Sequence, residues 1–137
     1  MNLPRQFISQ TEKFPLTLSL TPVGRDLLAV LTGGDSHIGA SALAFPGMQS
    51  IDDVLVSVVP GHREEDLARG IAFALMQAYE GSVQVCAGIH FDDISKKDIK
   101  DICKRARELC ETACEYMHRR LRRIRNENCR IQATDAE

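Results

Sequence analysis

Three of the four histidines in this 137-residue chain stand beside glycines at points where the sequence pattern changes. They are His37 in Ser-His-Ile-Gly, His62 in Pro-Gly-His-Arg-Glu and His90 in Gly-Ile-His-Phe-Asp. Imidazole exchanges a proton near neutral pH, holds an anion when charged and ligates a metal when neutral. Glycine neighbours let a ligand approach the backbone closely. A single histidine is usually structural or solvated, so a binding role requires that the three meet in one pocket.

Other chemistry has weaker support from the residues. A metal site would combine the three histidines with Asp35, Asp92 or Asp93, a donor set that suits zinc or iron. No spacing such as HxH or HExxH supports it, so we predict no metal, and a small metal-dependent enzyme stays an alternative. A nucleophile is not indicated, because Ser36 is merely adjacent to a histidine and Cys86 lies within a predicted strand. We therefore predict no catalytic residue and no enzyme activity.

Two glycine-containing loops could receive an anion. The segment 32–39, TGGDSHIG, matches neither the Walker pattern nor GxGxxG, and a strand pattern follows it. Gly33 to Ser36 is explained equally well as a hairpin turn. The second loop, residues 61–63, precedes a predicted helix, whose first backbone amides point outward. Glu64 to Asp66 argue against an anion there, because they can satisfy these amides and the helix dipole themselves.

The elements that must position these residues follow from periodicity. Apolar alternation and β-branched runs predict strands over 14–21, 26–31, 40–45, 54–59 and 82–91, and an apolar stripe predicts a helix over 64–80. A capping box at Ser95 and Asp98 begins a second helix over 95–125. The order β-β-β-β-α-β-α predicts an α+β fold with one largely antiparallel sheet and two helices on one face. The histidines are then expected on the uncovered side of the sheet or at a subunit seam.

Composition and charge limit the fold classes that the chain can adopt. The chain is 44% hydrophobic and 26% charged, which is typical of a globular protein rather than a disordered or fibrous one. We expect a single domain over 1–137 with a folded core at about 14–118 and a loose arm at 1–13. The remainder, 119–137, is predicted to be a basic helix end and a polar tail. No apolar run approaches a membrane span and no secretory h-region begins the chain, so a cytoplasmic location is expected.

The second helix is unusually long and its end is basic. At ~1.5 Å per residue, 95–125 spans about 45 Å, whereas a domain of this size is about 37 Å across. The helix must therefore overhang the body, break, or pack on a partner subunit. Residues 118–125, HRRLRRIR, could contact RNA, an acidic protein or a membrane surface. They could equally be a solvated helix end whose cations complement the dipole.

The five cysteines form no CxxC pair. Cys103, Cys110 and Cys114 share one helix stripe, where cysteines usually serve as small buried hydrophobic residues. Cys103 and Cys110 are two helical turns apart, too far to form a disulfide. Cys129 lies in the tail and is expected to be an exposed thiol.

Three segments together resemble a known family. TGGDSHIGASALA, VPGHREEDLA and CAGIHFDDISKKDI resemble small prenylated-flavin chaperone-like proteins, the D subunits that accompany UbiD-type gallate and hydroxybenzoate decarboxylases. The resemblance covers roughly residues 17–102. It implies an accessory protein that supplies or matures the prenylated flavin mononucleotide of a UbiD-type partner. The cofactor-binding positions it implies, for prenylated FMN or FMN, are Thr32, Gly33, Gly34, His37, Gly39, Gly61, His62, Gly88 and His90.

Other functions stay open beside this one. The chain could be an assembly module without a ligand, dimerising through its long helix and open sheet face. RNA binding through residues 119–125 is a further alternative, although that stretch has no aromatic residue for base stacking. A chain this small does not easily enclose a flavin alone, so we expect a homodimer or higher oligomer. We expect neither a nucleic-acid nor a membrane partner.

Overall fold

The computed structural model describes residues 3–9 and 11–136. In chain order its elements are β1 (Arg5–Ile8), β2 (Leu16–Val23), β3 (Asp26–Gly34), β4 (Ala40–Ala44), a 3-10 turn (Ile51–Asp53), β5 (Leu55–Val58), α1 (Glu65–Tyr79), β6 (Val83–His90) and α2 (Lys96–Asp135). The strands of the described chain form one sheet in the order β1-β2-β3-β6-β4-β5. The prediction of an α+β fold with a mostly antiparallel sheet and two helices is confirmed.

The β2–β3 hairpin forms where the alternation predicted it. The two strands pair in antiparallel register from Leu16 opposite Gly33 to Val23 opposite Asp26. Gly24 has a φ of 60°, a conformation that glycine adopts without steric cost in a two-residue turn.

The centre of the sheet differs from the expected chain of hairpins. The prediction that residues 33–36 form a hairpin turn was wrong, because β6 lies between β3 and β4, parallel to β3 and antiparallel to β4. The connection crosses the end of β6: the Asp35 amide donates to the His90 carbonyl at 3.0 Å, and the Gly39 amide to the Ala87 carbonyl at 2.9 Å. Residues 33–36 carry no signal of this arrangement, because β6 follows them by about fifty residues in the sequence.

One face of the sheet carries the core. The leucines of β2, Leu27 and Leu31 of β3, the alanines of β4 that face inward and the valines of β6 are buried beneath the helices. The small side chains of β4 let α1 lie close to the sheet, and Leu75 and Ala72 of α1 are inaccessible to solvent. Tyr116 and Met117 of α2 complete this layer. Burial of such side chains supplies the main stabilising free energy of the fold.

Both ends of the chain are more ordered than predicted. β1 forms within the segment 1–13 that was expected to be a loose arm, and pairs antiparallel with β2. Phe7 anchors it by packing edge-on against Tyr116, with ring centroids 5.7 Å apart. Residues 1, 2 and 10 of that arm, and residue 137 of the predicted tail, lie outside the described residues.

α2 continues ten residues beyond its predicted end. Its last fully buried side chain is Met117, and exposed residues dominate from His118 to Asp135. The helix is unbroken and overhangs the body of this chain, while packing on a partner subunit stays a prediction. None of the helices in the described part of the chain has an apolar stretch long enough to cross a lipid bilayer.

Candidate functional site

A cleft lies at the edge of the sheet where the parallel strands β3 and β6 end. β5 ends and β4 begins at this same edge, and α1 and α2 both start above it. The cleft has a volume of about 430 Å³ and is lined by His37, Gly61, His62, Arg63, Glu64, Leu67, Ile89, His90, Ile94, Ile99, Ile102 and Cys103. We refer to it as the carboxyl-edge cleft. Carboxyl edges of this kind commonly hold ligands in open sheets with parallel strands.

Glu64 is a buried polar residue that lines the cleft. Only 8% of it is exposed. It occupies the position before α1 but its side chain does not cap the helix. Instead the carboxylate turns inward and accepts hydrogen bonds from the amides of Arg63, at 3.1 Å, and Ile89, at 3.3 Å. The end of β6 and the start of α1 therefore share one carboxylate.

Two histidines meet at this carboxylate. The His37 Nε2 atom lies 3.1 Å from Glu64 Oε1, and the His62 Nδ1 atom lies 3.7 Å from Glu64 Oε2. The two imidazole rings are 4.8 Å apart between centroids. On its other side, His37 Nδ1 is 2.9 Å from the carbonyl oxygen of Asp35. Residues far apart in the sequence thus form one polar cluster, His37, His62 and Glu64, which we call the His-His-Glu cluster.

The Glu64 carboxyl stays ionised despite its burial. Burial by itself raises the pKa of Glu64, but hydrogen bonds from backbone amides and the neighbouring His37 outweigh this and hold the pKa below its ordinary value. A negative charge is therefore fixed beside two imidazoles at the polar end of the cleft.

Two glycines make room for the cluster. A Cβ atom at Gly39 would overlap the carboxylate of Glu64, and one at Gly88 would overlap the carbonyl oxygen of His37. Gly88 is buried in β6 directly beneath the crossing segment 35–39. The physical need for glycine here is close approach of the protein to itself, which differs from the ligand contact inferred from the sequence.

His90 lines the same cleft but pairs elsewhere. Its Nε2 atom is 3.1 Å from Asp92 Oδ1, and the ring is mostly exposed. Asp35 joins these two residues in a second, fully exposed group of acidic and imidazole side chains. The three histidines therefore border one cleft, yet only His37 and His62 contact each other.

The cleft does not lie on the uncovered face of the sheet, where the histidines had been expected. Leu67 of α1 and Ile102 of α2 form its walls, so it lies on the helix-covered side, at the sheet edge. The two helices start at the same strand ends that carry the histidine loops, which places the site between helix N-termini.

The remaining sequence-predicted positions shape the surroundings. Gly61, with a φ of 87°, turns the chain from β5 into α1 and lines the cleft. Gly34, with a φ of 67°, passes so close to His90 that a Cβ would overlap its carbonyl oxygen. Gly33 packs against Leu16 beneath the helices. Thr32 pairs with Gly88 in the sheet, on the uncovered face and outside the cleft lining.

Glu64 is the member of the His-His-Glu cluster that the sequence did not single out. The sequence analysis placed it with Glu65 and Asp66 in the first turn of a helix, whereas α1 begins at Glu65. Nothing local distinguishes Glu64 from Glu65, which is exposed enough to pair with Arg69. The apolar wall was also missed, since each of its isoleucines fits an ordinary core or staple position.

Comparisons with known proteins agree with this architecture. A family profile described as "Prenylated flavin chaperone LpdD-like domain" matches residues 10–118. A solved chain from "Crystal Structure of a Novel Chaperone Complex for Yeast 20S Proteasome Assembly" is similar with a TM-score of 0.56 and 12% identity, covering 85% of this chain and 99% of that one. At that identity the likeness concerns the fold alone. No protein with a curated description matches this chain significantly.

Proposed function

Because the chain belongs to the family of prenylated flavin chaperone LpdD-like domains, we propose that it is an accessory protein that holds a flavin in the carboxyl-edge cleft. The ligand is prenylated flavin mononucleotide or its FMN precursor, and the protein supplies or matures it for a UbiD-type decarboxylase. In this proposal the decarboxylation belongs to the partner enzyme.

The composition of the cleft supports this ligand class. One wall is apolar, with Ile94 just before α2 and Ile99 and Ile102 within it, and suits a flavin ring or a prenyl group. The opposite end offers imidazoles and the guanidinium of Arg63, which suit a phosphate. Sites with mostly apolar walls and a few polar groups are typical of small-molecule binding. The juxtaposition of this wall with the His-His-Glu cluster is the observation that carries the proposal.

The proposal also covers the oligomeric state of the protein, its partner and its location. The cleft is open to solvent, so a second copy of the chain or the decarboxylase would complete the enclosure. We propose a homodimer or higher oligomer that docks to the UbiD-type enzyme in the cytoplasm. All five cysteines are free thiols, as is usual in a reducing compartment.

Titration of FMN, and of prenylated FMN, into the purified protein tests the site. Flavin fluorescence or absorbance should saturate, and His37→Ala and His90→Ala should weaken binding. His118→Ala is the matched control, because this exposed histidine lies on α2 away from the cleft. If both cleft variants bind the flavins as the wild type does, the assignment of the site is wrong.

A second candidate function has one structural observation in its favour. The uncovered sheet face exposes apolar side chains, with 58% of both Val23 and Leu55 accessible, beside half-buried Leu28, Val30 and Leu43. Such a face suits an assembly module that binds a protein and no small molecule. Leu55→Glu would then abolish partner capture from a lysate, whereas the flavin proposal predicts that flavin titration is unchanged in this variant.

A further inference from the structure

We propose that the His-His-Glu cluster binds one divalent transition-metal ion, such as zinc or iron(II), at the polar end of the carboxyl-edge cleft. His37 Nε2, His62 Nδ1 and a Glu64 carboxylate oxygen supply the protein ligands. The ligand atoms of these residues all lie within 4.8 Å of one another. The inference concerns the metal alone and stands independently of flavin binding.

The neighbours of the His37 ring indicate which of its nitrogens carries a hydrogen. The carbonyl oxygen of Asp35 only accepts hydrogen bonds, so Nδ1 of His37, 2.9 Å away, carries a hydrogen and donates it. A neutral His37 then directs the lone pair of Nε2 at the Glu64 carboxylate, 3.1 Å away. Two acceptors in contact repel each other unless a cation lies between or beside them. A metal ion satisfies both lone pairs at once.

The second imidazole favours a metal ion over a proton as that cation. A proton on His37 would also resolve its contact with Glu64, but it would not bring in His62. His62 Nδ1 faces the same carboxylate at 3.7 Å, and its ring lies 4.8 Å from that of His37. A single divalent ion would bond to nitrogen lone pairs of both rings and to the carboxylate together.

The spacing of the ligand atoms fits metal coordination. Bonds of about 2.0–2.1 Å from zinc to nitrogen or oxygen place neighbouring ligand atoms of a tetrahedral site about 3.3 Å apart. The observed 3.1 Å between His37 Nε2 and Glu64 Oε1 agrees with this. The side chain of His62 is 34% exposed, and among the described residues no hydrogen bond holds its ring in place.

The surroundings resemble the outer shell of a metal site. Metal-bound histidines generally donate a hydrogen bond from their second ring nitrogen to a carbonyl or carboxylate. His37 makes such a contact with the backbone carbonyl of Asp35. Bound carboxylates are themselves held by hydrogen bonds, as Glu64 is by the amides of Arg63 and Ile89. Two histidines and one carboxylate leave coordination positions open, and all three residues line the cleft. An anionic oxygen of a bound ligand could take such a position.

Cobalt(II) titration of the full-length, chelator-treated protein tests the site, with no flavin present. One equivalent should bind and give visible d–d absorption without a thiolate-to-cobalt charge-transfer band. Glu64→Gln, which preserves shape, and His62→Ala, which alters a half-exposed residue, should each weaken binding by at least about tenfold to a hundredfold. His118→Ala should bind like the wild type. Circular dichroism of each variant checks that it is folded.

Several results would overturn the inference. The absence of saturable binding by the wild type would do so, as would equal affinity in folded Glu64→Gln and His62→Ala proteins. A charge-transfer band would assign the metal to cysteines, of which Cys103 is nearest because it also lines the cleft. Loss of binding in His90→Ala alone would assign it to the exposed group of Asp35, His90 and Asp92. Flavin affinity is measured separately, so that failure of the metal inference can be distinguished from failure of the proposed function.

Discussion

The absence of a Cβ atom at two glycines allows the His-His-Glu cluster to form. Glu64 reaches His37 only because position 39 has no side chain, and the loop carrying His37 crosses β6 only because position 88 has none. A glycine in a buried strand usually weakens it. Here the close approach of two backbone segments explains its presence.

Gly88→Ala should destabilise the protein and weaken flavin binding. The added methyl group overlaps the carbonyl oxygen of His37, which is backbone and cannot rotate away, so the loop must shift. We expect a loss of about 1–3 kcal/mol in the free energy of unfolding, measured by urea denaturation.

Gly70→Ala is the matched control for that substitution. A Cβ at Gly70, in the middle of α1, meets nothing within 4 Å. This change should stabilise the protein by up to about 1 kcal/mol, because alanine favours helix more than glycine does. Equal stability losses in the two variants would contradict the steric explanation.

Thiol reactivity should follow burial and the pairing of Cys110 with Cys114. A hydrogen bond to Cys114 and burial both raise the pKa of the Cys110 thiol, which keeps it protonated and unreactive. Cys129 is exposed. Iodoacetamide labelling read by mass spectrometry should modify Cys129 first and Cys110 last, with all five modified in denaturant. Early labelling of native Cys110 would contradict this order.

At the scale of elements, helix starts determine where the site lies. α2 begins with a capping box: Ser95 accepts from the Asp98 amide at 3.1 Å, and Asp98 accepts from the Ser95 amide at 3.0 Å. This cap fixes the first turn of α2, whose Ile99 and Ile102 form the apolar wall of the cleft. The cap therefore links helix stability to the shape of the site.

The contribution of Asp98 should depend on pH. The hydrogen bond from the Ser95 amide, aided by nearby Lys13, lowers the pKa of Asp98. A lowered pKa in the folded state means that the stabilisation is complete above the ordinary value of about 3.9 and is lost as the pH falls through the folded-state value. Asp98→Asn should lower the melting temperature at pH 7, and the difference should shrink below about pH 3.9.

Glu108→Gln provides the control for that pH profile, because Glu108 is an exposed carboxylate in the middle of the same helix. Its melting temperature should stay close to that of the wild type at neutral pH. A deficit of Asp98→Asn that persists unchanged into strong acid would refute the assignment to the charged carboxylate.

The whole molecule consists of a packed body and a helix that projects from it. Buried side chains end at Met117, while the ion pair between Arg125 and Glu80 ties the projecting part to the body at its surface. Exposed ion pairs of this kind contribute little stability. The projecting helix is therefore free to serve contacts with other molecules.

Removal of residues 126–137 should leave the thermal stability of the body unchanged. Tyr116→Ala is the contrasting variant, because this fully buried ring packs on Phe7 and its loss should cost about 3 kcal/mol or more. Size-exclusion chromatography of the truncated chain also tests whether the projection mediates self-association. A large drop in the melting temperature after truncation would show that the projection belongs to the folded body.

Local patterns in the sequence were sufficient for most of the elements. Alternation along β2, the capping box of α2 and the apolar stripe of α1 each act within a few residues, so they predicted type and approximate position. The arm was misjudged because β1 is short and is held by Phe7 against Tyr116, a contact more than a hundred residues away in sequence. The end of α2 was misjudged because no strong stop signal follows residue 125.

The histidine loops were recognisable from their glycine neighbours and from the family resemblance, but their arrangement was not. That His37 and His62 share a carboxylate, and that this carboxylate is Glu64 and not Glu65, depends on β6 entering between β3 and β4. Strand order arises from the global packing of one apolar face against the helices. No short stretch of residues determines that packing, so only the folded chain reveals which side chains meet.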